Sequence, residues 1–359
     1  MNLSSILNSK YLLRFLTVLL SVLFLFSVIV SAFVSYFKDD KQTKLTLFEG
    51  NKDGFSALAL GTSHSIGFHF PSLGVDGINF HDGGGDIEEA LFKADILVEQ
   101  ARYVDIVFLA VSPGSLHMSQ RYISDDWGRR RLAVINNLPV AFNAFIFNPK
   151  ASFKRLLFKF FPIFEFRQII RTWLIGESSQ LSADVSVSCF GKGIVELDYQ
   201  SFLLGDYKEE IISPHCLAEY ADSTIKKHIQ YIEATILADS NVPQLNVKRL
   251  VKLASMLKDR YGRLVLVVPP LTREYYEDAR IQKWVPQHNA LLAELAEQTN
   301  IEVYDFHDFF YEQMADGSND FFYDDDHLAL PGAIEFSKAL KKAMDDRAIS
   351  REQSKLISN

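Results

Sequence analysis

Four short, mainly apolar runs, set apart by longer stretches with helical spacing, leave this chain few architectures. Phe55–Leu60, Val104–Val111, Arg263–Val268 and Ile301–Asp305 each read as a buried strand, short and bounded by turn residues. Between the first two lies Asp86–Ala101, where Ile87, Ala90, Leu91, Ala94, Leu97 and Val98 recur close to a 3.6-residue period. Asp222–Asp239, Val242–Tyr261, Pro286–Thr299 and Pro331–Arg347 read as further helices. Strand, helix, strand in alternation predicts a mainly parallel sheet covered by helices, a three-layer α/β/α sandwich. In such sheets ligands gather beyond the carboxyl ends of the strands, so the turns there are the first place to look for chemistry.

Two of those turns carry small hydroxyl residues. The first run ends in Gly61-Thr62-Ser63-His64-Ser65, where the glycine permits a tight turn and Thr62 or Ser63 is placed to cap a helix. The second ends in Ser112-Pro113-Gly114. A serine on a strand-to-helix turn can present its oxygen where backbone N–H groups converge. Ser65 is the rival nucleophile in the first turn. His64 could touch substrate or merely pack in the turn.

The chain's N-terminal part predicts a different environment. Phe15 to Phe37 contains no charge over 23 residues. As a helix it would reach roughly 35 Å, enough to cross the hydrocarbon core of a bilayer. The run exceeds a signal-peptide core, although Val30-Ser31-Ala32 loosely resembles a cleavage site. An uncleaved anchor, a linker over 38–54 and a domain over 55–347 with a polar tail over 348–359 are therefore expected. Lys10 and Arg14 before the span, against Lys38, Lys41 and Lys44 after it, do not by themselves place that domain outside.

From 116 to 220 the pattern weakens, which suggests a helical insertion. Its Ala151–Leu174 segment mixes apolar residues with Lys and Arg and is interrupted by Pro162. It reads as a packed helical insertion or as a basic face lying on a membrane. The two cysteines, Cys189 and Cys216, can form a disulfide in an oxidising compartment or remain buried thiols; their spacing fits no zinc pattern. A net charge of −8 excludes a nucleic-acid binder that relies on a broad basic surface.

The second half of a possible site lies far downstream. Phe322-Tyr323-Asp324-Asp325-Asp326-His327 immediately precedes the last helix. An imidazole needs a carboxylate on one nitrogen if the other is to take a proton from a hydroxyl. Asp324, three residues before His327, can fold back from a turn to supply it. Asp325 and Asp326 would then point to solvent or to helix-start amides. A soluble helix start with acidic residues is the plainer reading of the same stretch.

Taken together, Gly61-Thr62-Ser63 and the Asp324-x-x-His327 pair resemble the SGNH (GDSL-like) hydrolase superfamily over most of the chain after the apolar span. Ser112-Pro113-Gly114 is similar to its membrane-anchored branch, which includes the D-alanyl transfer protein of teichoic-acid assembly. Thr62 replaces the family's aspartate, and the Gly-x-Asn-Asp block is missing. The resemblance implies an SGNH-type sandwich in which Ser63 is the nucleophile, His327 the base and Asp324 its orienting acid. Gly83, Ser112 and His64 would serve the oxyanion or the substrate. It further implies an esterase or O-acyltransferase without metal or cofactor, on the outer face of a bacterial inner membrane. The substrate would be an acyl-bearing envelope glycan or polymer, with a multi-pass membrane acyltransferase as a candidate partner. A catalytically inactive member that binds a polymer or partner in an assembly complex is the alternative.

Overall fold

A computed structural model describes helical residues between 14 and 25, residue 44, and then 47–123, 189–192 and 208–358, apart from the single positions 52, 82, 102, 261 and 299. The chain divides into two compact units, Met1–Gln42 with Pro139–Ala183, and Thr43–Leu138 with Asp184–Asn359. In the first unit Phe15, Val18, Val22 and Leu25 are helical and exposed. No helix among the described residues is long and apolar enough to cross a membrane. Most of the predicted Phe15–Phe37 span lies outside those residues, as do the basic segment 151–174 and most of the expected insertion.

The second unit is built on a five-stranded sheet. Its strands are β1 (Ala57–Gly61), β2 (Gly77–Asn79), β3 (Ile106–Ala110), β6 (Arg263–Val268) and β7 (Ile301–Asp305), in the order β2-β1-β3-β6-β7. Every pairing is parallel. A separate antiparallel pair joins β4 (Phe190–Lys192) and β5 (Glu210–Ile212), and among the described residues the sheet is accompanied by five longer helices. These are α1 (Ile87–Gln100), α2 (Pro214–Ala238), α3 (Val242–Lys258), α4 (Val285–Ala296) and α5 (Leu330–Ser358).

The sheet buries both faces, which is why its strands read as apolar runs rather than alternating ones. Leu58, Leu60, Val107, Leu109, Leu264 and Leu266 face one cluster, completed by α1, α3 and α4. The interleaved Ala57, Ala59, Phe108, Ala110, Val265 and Val267 face the other, completed by Phe68, Phe322 and Phe336, the last from α5. Two predicted strands, Arg263–Val268 and Ile301–Asp305, keep their limits. Asp86 caps α1, its carboxylate accepting from Glu89 N.

Three expectations need correction. The linker over 38–54 is part of the domain from residue 44. Lys44 is buried with its ammonium donating to Asn79 O, and Phe48 is fully buried between Phe55 and Phe80. The polar tail over 348–359 continues α5 to Ser358. Met344 is the last residue of α5 in the core cluster among the described side chains. The second helix starts at Pro214 rather than Asp222, because Pro at the first position is preorganised for a helix.

Candidate active site

The strand order changes direction at β1: the chain passes from β1 outward to β2, then back across β1 to β3. The loops after β1 and β3 therefore diverge, leaving a crevice at their carboxyl ends. Ser63 and Ser112 both lie at this edge, just past the paired residues Gly61 and Ala110. Gly61 has φ +100°, a conformation that side-chain-bearing residues rarely adopt, and it turns the chain sharply into a 3₁₀ segment, Ser63–Gly67. Thr62 stands at the cap position but makes no capping bond.

The sequence-distant halves meet across this edge. Ser63 Oγ lies 2.6 Å from His327 Nε2. His327 Nδ1 is 2.9 Å from both oxygens of Asp324. A compact turn makes this possible: Asp324 Oδ1 also accepts from the backbone N–H groups of Asp326 and His327, and Tyr323 N donates to His327 O. The turn is held from outside as well. Ile212 N in β5 donates to Phe322 O, Asn319 Nδ2 bridges Ile212 O and Phe322 O, and Leu330 N donates to Lys208 O.

Ser65 is committed elsewhere. Its hydroxyl is fully buried and donates to Leu60 O at 2.6 Å. Among the described residues no acceptor takes the backbone N–H of Ser63 or His64, the first two of the 3₁₀ segment. Ser112 is buried at the end of β3, and its carbonyl accepts from Gly114 N, Ser115 N and Ser115 Oγ. Gly83 is exposed on a turn, with open space where a side chain would stand. Neither residue is hydrogen-bonded to Ser63. His64 is buried rather than open to a ligand: Nδ1 lies 3.0 Å from Thr62 Oγ1 and Nε2 3.0 Å from Asp326 Oδ2.

The neighbouring acids depart from expectation. Asp325 and Asp326 do not point to solvent or to helix-start amides; both are buried. Asp325 accepts from Thr224 Oγ1 of α2 at 3.0 Å, and its carbonyl accepts from Thr272 N and Oγ1. Asp326 Oδ1 comes within 2.7 Å of His327 Nδ1, although the angle there favours Asp324 as the hydrogen-bond acceptor. Sequence reasoning also misses Thr224, Thr272, His228 and Tyr275. Nothing in a helical pattern marks which polar position of α2 will face a loop a hundred residues away.

Charge in this pocket is uneven. Burial, then the charges of Asp326 and Asp324, raise the Asp325 carboxyl well above the usual range, which favours its neutral form. Burial opposes ionisation of Asp326 too, but His327 and His64 more than offset it and hold its carboxyl well below the usual range. Burial alone would lower His327; the Asp324 and Asp326 charges instead raise it well above an ordinary imidazole.

Among the described residues, three groups bring metal-ligating atoms together: Cys189, His215 and Cys216; His64, Asp326 and His327; and Asp324–Asp326. Both thiols of the first are spent in a disulfide with Cα atoms 5.9 Å apart. In the second, an ion would have to displace hydrogen bonds that the same atoms already make. The arrangement as it stands suits proton transfer from a hydroxyl to an imidazole. No protein-family model matches the chain, and no curated protein matches it significantly.

Proposed function

We propose that this protein is an SGNH-like serine hydrolase or acyltransferase, anchored by its N-terminal apolar segment with the catalytic domain on the extracytoplasmic side. The observation that carries the reading is the chain of contacts Ser63–His327–Asp324, at 2.6 Å and 2.9 Å, assembled at the switch point of the sheet. In the reaction His327 takes the Ser63 proton as Oγ attacks an ester carbonyl. Asp324 on Nδ1 fixes the tautomer and stabilises the imidazolium. The uncommitted N–H groups of Ser63 and His64 are available to the developing oxyanion, and one such donor contributes about 3 kcal/mol in comparable sites. Protonated His327 then returns its proton to the leaving alkoxide, and water or a sugar hydroxyl accepts the acyl group. The Cys189–Cys216 disulfide agrees with an oxidising compartment. An acyl-bearing envelope glycan or polymer is the proposed substrate, with a multi-pass acyltransferase as membrane partner.

A binding role without turnover draws on one observation: the carboxylates around His327 favour its protonated form, which cannot act as a base. Fluorophosphonate labelling of the full chain, followed from neutral to alkaline pH, separates the two readings. Labelling that rises with pH, disappears in Ser63→Ala and persists in Ser65→Ala supports catalysis. No labelling of the wild type at any pH would refute it.

A further inference from the structure

The loop that carries His327 makes a second set of contacts that a Ser63–His327–Asp324 arrangement does not require. Asp326 is 2% exposed and divides its carboxylate between two histidines, with Oδ1 2.7 Å from His327 Nδ1 and Oδ2 3.0 Å from His64 Nε2. The two imidazoles lie nearly parallel, 4.9 Å apart at 11°. Behind them His228 Nδ1 sits 3.8 Å from Asp326 Oδ2 and 2.8 Å from Tyr275 Oη.

We propose that Asp326 is a second positioning carboxylate for His327, and that His64 acts through Asp326 to set the pH at which His327 is free to accept a proton. The proposal deepens the catalytic reading above by adding its regulation, and it rests on His327 being the base.

The hydrogen-bond pattern fixes the roles. An ionised carboxylate only accepts, so His64 Nε2 must carry a proton toward Asp326. In the neutral ring Nδ1 is then a lone pair, which the Thr62 hydroxyl can satisfy at 3.0 Å. Asp326 thus fixes the proton on Nε2 of His64, and the Thr62 hydroxyl, which can donate or accept, meets Nδ1. The N–H of His64 holds Oδ2 and draws on the charge of the carboxylate that Oδ1 presents to His327.

The other groups facing His327 leave this pair in control. Tyr323 and Asp325 come from its own loop, Tyr220 and His228 from α2, and Tyr275 from the short helix Arg273–Tyr276. Burial pushes His228 down to about 4 and Tyr220 up to about 12, and raises Tyr275 and Tyr323, so these groups favour their neutral forms. Asp325 favours its neutral form as well. Among the described residues, the charges that raise His327 are those of Asp324 and Asp326.

The test is a pH titration of the His327 ring in full-length protein in detergent. It uses ring-¹⁵N histidine NMR with the signal assigned through His327→Gln, in parallel with fluorophosphonate labelling rates. Asp326→Asn should lower the His327 midpoint by about one pH unit or more, a tenfold or greater loss of proton affinity. The acid limb of labelling should move with it. His64→Ala should move the midpoint upward by freeing Asp326, and His64→Gln, which keeps an N–H donor, should return it toward wild type. A folded Asp326→Asn protein with an unmoved His327 midpoint would overturn the proposal. So would His64→Ala and His64→Gln midpoints that both equal wild type, a pair that decides the matter if Asp326→Asn fails to fold. Because NMR reads protonation without turnover, absent labelling would remove the catalytic reading alone, whereas an immobile midpoint would remove this one.

Discussion

Removal of the Cys189–Cys216 disulfide should weaken the fold and slow the active site together. The bridge closes 27 residues of sequence and ties the start of α2 to the strand pair β4–β5. Ser213 N donates to Cys189 O at 2.7 Å, and Ile212, next in line, bonds the loop of Asp324 and His327 through Phe322 and Asn319. From the loop length alone the chain-entropy relation gives about 3.5 kcal/mol. With a urea dependence near 3 kcal/mol/M, a Cys189→Ala/Cys216→Ala protein should unfold at a urea concentration about 1 M lower. Urea titration of the full chain in detergent, read by far-UV circular dichroism, measures the shift. Labelling of Ser63 under native conditions measures the second effect and should fall several-fold as β5 loosens its hold on Phe322. An unchanged midpoint at unchanged slope would refute the stability argument. A lowered midpoint with an unaltered labelling rate would refute the link between β5 and the site.

Other perturbations test single contacts. Asp324→Asn should reduce labelling far more than Asp325→Asn, since Asp324 holds Nδ1 and Asp325 bonds Thr224; steady-state labelling rates at fixed pH compare them. Ser65→Ala should keep its reactivity while losing about 1 kcal/mol of stability with the bond to Leu60 O, measurable by urea titration. Gly332→Ala should destabilise by about 1–3 kcal/mol or more, because its Cβ would meet the Phe321 carbonyl, a backbone group that cannot swing aside. His288 is 1% exposed, and burial pushes it down to about 3, below its unfolded value near 6.5. Its neutral form therefore contributes stability that is complete above pH 6.5 and lost as pH falls toward 3, by a few kcal/mol in total. His288→Gln should flatten the fall in urea midpoint between pH 6.5 and 4.

The apolar runs by themselves determined the parallel sheet and its central strands, because a strand buried on both faces must be apolar throughout. Spacing likewise determined the helices, whereas Ser63, Asp324 and His327 were singled out together by their resemblance to a known motif pair, since each short motif taken alone left a plainer reading open. Tertiary structure decided the rest. β2 has three residues, too few for any periodicity, and exists because β1 offers it an edge. Lys44 and Phe48 look like linker until Asn79 O and Phe80 close over them. Asp324, Asp325 and Asp326 are the same residue type in a row, so composition assigns them one role. The turn separates them, sending one to His327, one to Thr224 of α2 and one between two histidines. Such roles depend on which side chains meet across a 262-residue gap, as His64 and Asp326 do, and local sequence carries no record of that meeting.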